Sequence, residues 1–116
     1  AMALTPELVD YLAFFEAEPR LITPGTEWYY GAEFVSVRGA EKLIATIAPD
    51  DGEFSFKWWH ANLLQAEIKL AGITEWTIET DRGLERLILK FNEPKIPYFI
   101  LQLKPHIFLS WVVAWA

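Results

Sequence analysis

From residue 84 to residue 115 the chain alternates between apolar runs and proline-bearing breaks, and this stretch constrains the fold more than any other. Leu84–Phe91 is followed by Asn92-Glu93-Pro94-Lys95-Ile96-Pro97, then by Tyr98–Lys104, by Pro105-His106 and by residues 107–115. Runs rich in β-branched, aromatic and leucine residues between such breaks spell three consecutive antiparallel strands. Leu87, Leu89 and Phe91 fall on one face of the first, and Phe99, Leu101 and Leu103 on one face of the second. The third run is apolar on both parities: Ile107, Leu109, Trp111, Val113 and Trp115 alternate with Phe108, Val112 and Ala114. That pattern predicts a central strand covered on both faces.

The rest of the chain supplies a helix and further strands. Thr5-Pro6-Glu7 combines a capping hydroxyl, a proline suited to the first helical position and an acid at the positive end of the dipole. Leu8, Leu12 and Phe15, widened by Val9 and Tyr11, form an apolar stripe. One amphipathic helix over residues 6–17 follows, with Leu4 and Val9 placed for a hydrophobic staple and Pro19 beyond its end. After the Thr23-Pro24-Gly25 turn, residues 26–38 read as a strand with Trp28, Tyr30 and Phe34 inward. Residues 43–48 read as the next.

Pro49-Asp50-Asp51-Gly52-Glu53 is a hairpin loop, and its return strand sets Phe54, Phe56 and Trp58 against Ser55, Lys57 and Trp59. Residues 63–71 fit either a short helix capped by Asn62 or a strand. The strand is preferred, because a helix would place Glu67 in the apolar arc whereas Leu64, Ala66, Ile68 and Leu70 alternate cleanly with Gln65, Glu67 and Lys69. Residues 73–80, with Trp76 and Ile78 on one face, lead through Asp81-Arg82-Gly83 into the meander. The fold class expected is therefore α+β. One N-terminal helix packs on a curved, mostly antiparallel sheet of about eight strands, as a half-barrel or sandwich, in one domain over residues 1–116 that is β-rich from Thr26 to Trp115.

A chain of 116 residues has enough surface to bury a core without staples. It has no cysteine, which removes disulfides and thiolate chemistry and fits a reducing compartment, so the cytoplasm is the expected location. Ala1 ahead of Met2 reads as a cloning remnant with Met2 as the start. The N-terminus lacks the basic and apolar regions of a signal peptide. No apolar run approaches the ~18 residues of a membrane-spanning helix.

The net charge of -6 disfavours nucleic acid as a direct ligand. All of that excess lies early. Through Glu53 there are ten acids against Arg20, Arg38 and Lys42, whereas the remainder holds six acids and seven bases.

No motif prescribes a reaction or a cofactor. Neither His60 nor His106 has a histidine or carboxylate at the following second or fourth position, so neither marks a metal site. Asp50-Asp51 and the acids at 75, 79 and 81 fall on hairpin tips and exposed faces, where no apolar pocket would raise a catalytic pKa. No nucleophile elbow or phosphate-cradling glycine loop occurs. The chain reads as a non-enzyme with no cofactor and no bound metal.

Most of the eighteen aromatic side chains are expected to fill the core, but strand parity turns Tyr29 and Trp59 outward, beside Glu27, Glu33, Asp50, Asp51 and Glu53. Aromatic anchors among charges of one sign compose a protein-binding surface. The expectation is a small acidic protein of immunity or inhibitor type that neutralises a basic partner: a toxin, a nuclease or another nucleic-acid-binding protein. The alternative is a small apolar or sugar-like ligand inside a curved sheet lined by Trp28, Tyr30, Trp58 and Trp76. The apolar C-terminal strand, were it at an edge, leaves room for a homodimer.

Overall fold

The computed structural model describes residues 2–114. It is α+β, as the periodicities predict: among the described residues one α-helix and ten strands are present, the strands forming two antiparallel five-stranded sheets. No helix among these residues is long and apolar enough to cross a membrane. The chain divides into two compact units, Phe15–Ala71 and the pair of segments Ala1–Phe14 and Gly72–Ala116.

The Phe15–Ala71 unit is a meander in chain order: β2 (Arg20–Leu21), β3 (Ala32–Arg38), β4 (Glu41–Ala48), β5 (Glu53–His60) and β6 (Leu63–Leu70). Its registers place residues of complementary size side by side on the inner face. Phe34 lies opposite Ala45, which lies opposite Phe56, and that residue opposite Ile68. In the next row Ala32, Ile47, Phe54 and Leu70 follow one another. Small beside large lets adjacent rings interdigitate at native density. Phe34, Phe54 and Phe56 are buried, and the Phe15 ring stacks on Phe34 at 4.8 Å.

Strand β6 settles the ambiguous segment as predicted. The turn before it, Ala61-Asn62, has both residues at positive φ (49° and 67°), the mirror-image turn that matches strand twist. The Pro49–Asp51 loop is a 3-10 turn closed by Gly52 at φ 65°, with the Gly52 N–H donating to the Pro49 carbonyl at 3.2 Å.

The other unit contains β1 (Met2–Leu4), the helix α1 (Leu8–Phe15, whose last residue belongs to the first unit), β7 (Ile73–Asp81), β8 (Leu84–Phe91), β9 (Tyr98–Lys104) and β10 (Phe108–Trp111). Sheet order is β1-β7-β8-β9-β10. Trp76, Leu89 and Phe99 form one buried row and Ile78, Leu87 and Leu101 another. Tyr11 of the helix meets Trp76 edge-on at 6.5 Å. Cross-strand ion pairs support the registers: Glu79–Arg86 at 3.6 Å, Glu75–Lys90 at 3.8 Å and Glu85–Lys104 at 3.0 Å.

Four local expectations are corrected. The helix is shorter than residues 6–17, and Thr5 does not cap it: Thr5 sits at φ 54° with its N–H donating to the Trp76 carbonyl, which prolongs the β1–β7 ladder. Asp10 reaches back instead, accepting the Glu7 N–H at 2.8 Å as the reciprocal half of a capping box. Leu4 and Val9 are both exposed, so no staple forms.

Residues 26–30 are not strand. Thr26 N–H and hydroxyl both donate to the Thr23 carbonyl, Trp28–Tyr30 is a 3-10 turn, and pairing begins only at Ala32, from which even positions do point inward. Last, β10 is neither long nor central. It covers four residues at the sheet edge, paired among the described residues only to β9, with Phe108 and Trp111 about half exposed. Beyond it the Ala114 N–H donates to the Lys95 carbonyl, off the ladder, while Trp115 lies outside the described residues. Apolar character on both parities predicts burial by packing, but a meander has no further strand to place beside its last one.

Candidate functional site

Four of the first-half acids, Glu27, Asp50, Asp51 and Glu53, fall at one end of the β2–β6 sheet. Because the β4–β5 loop and the segment before β3 both fold as 3-10 turns, Pro49–Asp51 and Trp28–Tyr30 lie side by side. Here the Tyr29 phenol is pushed above its ordinary pKa, first by partial desolvation and then by Glu27, Tyr30 and Asp50. Glu27 and Asp50 thus both act on one phenol. Tyr29 itself is not an outward strand residue: it is half-buried, its ring 5.7 Å from Trp28 and 4.9 Å from Tyr30.

One open depression adjoins this corner, and a second shares part of its wall farther along the strands. The first, about 290 Å³, is lined by Tyr30, Asp51, Glu53, Ser55 and Lys69 among others. The second, about 450 Å³, includes Glu33, Ile44, Lys57, Trp59 and Glu67. Thr46, Ser55 and Lys69 line both, so the two are continuous along the strands. The structure thus groups Glu27, Tyr29 and Asp50 at the turns, Asp51 and Glu53 in the first depression, and Glu33 and Trp59 in the second.

The charges along this surface are not uniform. Glu33 accepts from both Nε (3.2 Å) and Nη2 (3.1 Å) of Arg20, so its charge is already compensated. Lys57 pairs with Glu67 at 3.2 Å, and Lys42 Nζ stands 5.5 Å over the Trp59 ring. Negative charge therefore concentrates toward the turns, at Glu27, Asp50, Asp51 and Glu53.

At the opposite end of the β4–β5 ladder the structure assembles a group that sequence spacing missed. The Trp58 indole N–H donates to Glu41 Oε2, and His60 Nδ1 lies 2.5 Å from Glu41 Oε1. These contacts, the indole first, hold the Glu41 carboxyl below the ordinary carboxylate pKa. Glu41 and His60 are nineteen positions apart and meet because they are register partners. Knowing the Pro49–Gly52 loop length and counting back along both strands would have found the pair. Among the described residues no cluster of three or more histidine, aspartate or glutamate side chains is placed to hold a metal ion.

The four aromatics expected to line an internal ligand site do not gather around either depression. Tyr30 lines the first, whereas Trp76 is buried in the other unit beside Tyr11.

No protein-family model matches the chain, and no curated protein matches it in sequence. In fold it is similar to a chain of the contact-dependent growth inhibition toxin–immunity protein complex from Klebsiella pneumoniae 342. The TM-score is 0.78 at 12% identity, over 94% of this chain and 95% of that one.

Proposed function

We propose that this chain is a binding protein of immunity type, which neutralises a toxin by docking its acidic corner on a basic surface of that partner. The observation that carries the reading is the convergence of Glu27, Asp50, Asp51 and Glu53 around two adjacent 3-10 turns, beside an open depression of about 290 Å³. The fold likeness to a chain of a toxin–immunity complex supports the class of function. The partner's basic character follows from charge complementarity: like-signed acids on adjacent turns raise the on-rate toward a positive patch and repel other acidic surfaces. Tyr29 and Tyr30 offer amphipathic contact area at the same corner.

The test is association kinetics with a basic toxin domain that this chain retains at low salt, for the native protein and for the triple variant Asp50→Ala, Asp51→Ala, Glu53→Ala. The triple variant is expected to associate roughly tenfold more slowly at low salt, with a flatter dependence of rate on ionic strength. Association and salt dependence equal to those of the native protein would remove the acidic corner from the interface.

A further inference from the structure

Strand β6 ends its sheet with nothing paired to its outer side among the described residues, and it is eight residues long, against two for the strand at the other edge. An edge of this length is a template for another strand unless charge, proline or a bulge blocks it. Residues 66–70 contain no proline, and the irregularity in the β5–β6 ladder, between Trp58 and Trp59, lies before them. What they do contain is Glu67 and Lys69, two apart on one face, with Ala66, Ile68 and Leu70 on the other.

We propose that β6 pairs antiparallel with β6 of a second copy of this chain, centred on Ile68, joining two five-stranded sheets into one of ten strands. The register follows from physical constraints. A twofold axis perpendicular to the sheet keeps like faces together, so each residue faces one of its own parity. Centring on Glu67 would set two carboxylates against each other. Centring on Ala66 would put Gln65 beside Glu67 and leave Lys69 opposite Leu63.

Centring on Ile68 puts Glu67 opposite Lys69 of the second copy, twice by symmetry, and aligns Ile68 with itself and Ala66 with Leu70. The charges that would guard the edge against a foreign strand are thus complementary to their own copy. On the polar face the row becomes Lys57, Glu67, then Lys69 and Ser55 of the second copy, extending the existing 3.2 Å Lys57–Glu67 pair. On the apolar face Phe56 and Ile68 meet their own equivalents, continuing the inner row. The inference does not rest on the inhibitor reading, since it uses none of the acids at the turns, although Lys69 and Leu70 also line the depression beside them.

Sedimentation equilibrium from ~1 µM to ~1 mM protein tests it. The native chain is expected to show a monomer–dimer equilibrium that weakens with salt. Lys69→Glu sets a second carboxylate against Glu67 of the other copy and should raise the dissociation constant about tenfold; it leaves the Lys57–Glu67 pair in place. Glu67→Lys should weaken self-association likewise. An equimolar mixture of the two variants, each confirmed folded by circular dichroism, restores opposite charges at both positions and should recover association as a heterodimer. A native chain that stays monomeric throughout, or a dimer that Lys69→Glu does not weaken, overturns the proposal.

Discussion

Replacing Phe34 by alanine probes the packing on which the acidic corner rests. Phe34 is fully buried in the middle of β3, its ring stacked at 4.8 Å and 24° on Phe15 and its register partner only an alanine. Removing the ring loses its transfer free energy and the stacking contact, and it opens a void that Ala45 is too small to fill. The expected cost is about 3–5 kcal/mol. With an unfolding entropy of roughly 2.1 cal/mol/K per residue over 116 residues, or about 0.24 kcal/mol/K, the melting temperature should fall by ~12–20 °C.

The control is the next residue. Val35 is 46% exposed on the opposite face, so Val35→Ala should cost under ~1 kcal/mol. Urea unfolding followed by far-UV circular dichroism reads both, and the denaturant slope should stay constant while the midpoint moves. A loss under ~1 kcal/mol for Phe34→Ala, or a larger one for Val35→Ala, would refute the inward parity of β3 and the packing argument with it.

Two further outcomes complement those for the acidic turns and the β6 edge. The Glu41 carboxyl is held below its unfolded pKa, chiefly by the Trp58 indole. Its contribution is therefore complete above the ordinary carboxylate range and is lost as pH falls through the folded value. The stability advantage of the native chain over Glu41→Gln should be larger near pH 7 than near pH 3, measured as the difference in urea midpoints; an advantage that grew on acidification would refute the assignment. Gly52→Ala forces a side chain into the left-handed region at φ 65° and should cost about 1–2 kcal/mol by the same assay, with β4–β5 amides in the hairpin exchanging faster.

Much of the strand content was legible because each strand carries its own period. Phe54 and Phe56 against Ser55 and Lys57, Trp76 and Ile78 in β7, and Phe99, Leu101 and Leu103 in β9 are buried as alternation requires. Residues 63–70 are strand for the reason that alternation supplies, since Glu67 is exposed and bridges to Lys57. Elements too short to show a period escaped: β1 and β2 have three and two residues and exist only because β7 and β3 offer ladder partners. The 3-10 turn at Trp28–Tyr30 escaped for the opposite reason, its aromatic composition imitating a strand.

The candidate site divides along the same line. The excess of negative charge in the first half, the hairpin loop that carries Asp50 and Asp51 with Glu53 at its exit, and the aromatics near them are legible from the residues alone, because composition and turn chemistry are local properties. Which of these residues meet depends on the folded arrangement. It brought Glu27 and Tyr29 to Asp50 through two turns about twenty residues apart, neutralised Glu33 with Arg20, and joined Glu41 to Trp58 and His60. It also left β6 and β10 at the edges of their sheets. The physical reason is that strand order and register depend on the free energy of all ladders together, and no single strand's period records which neighbour it will have.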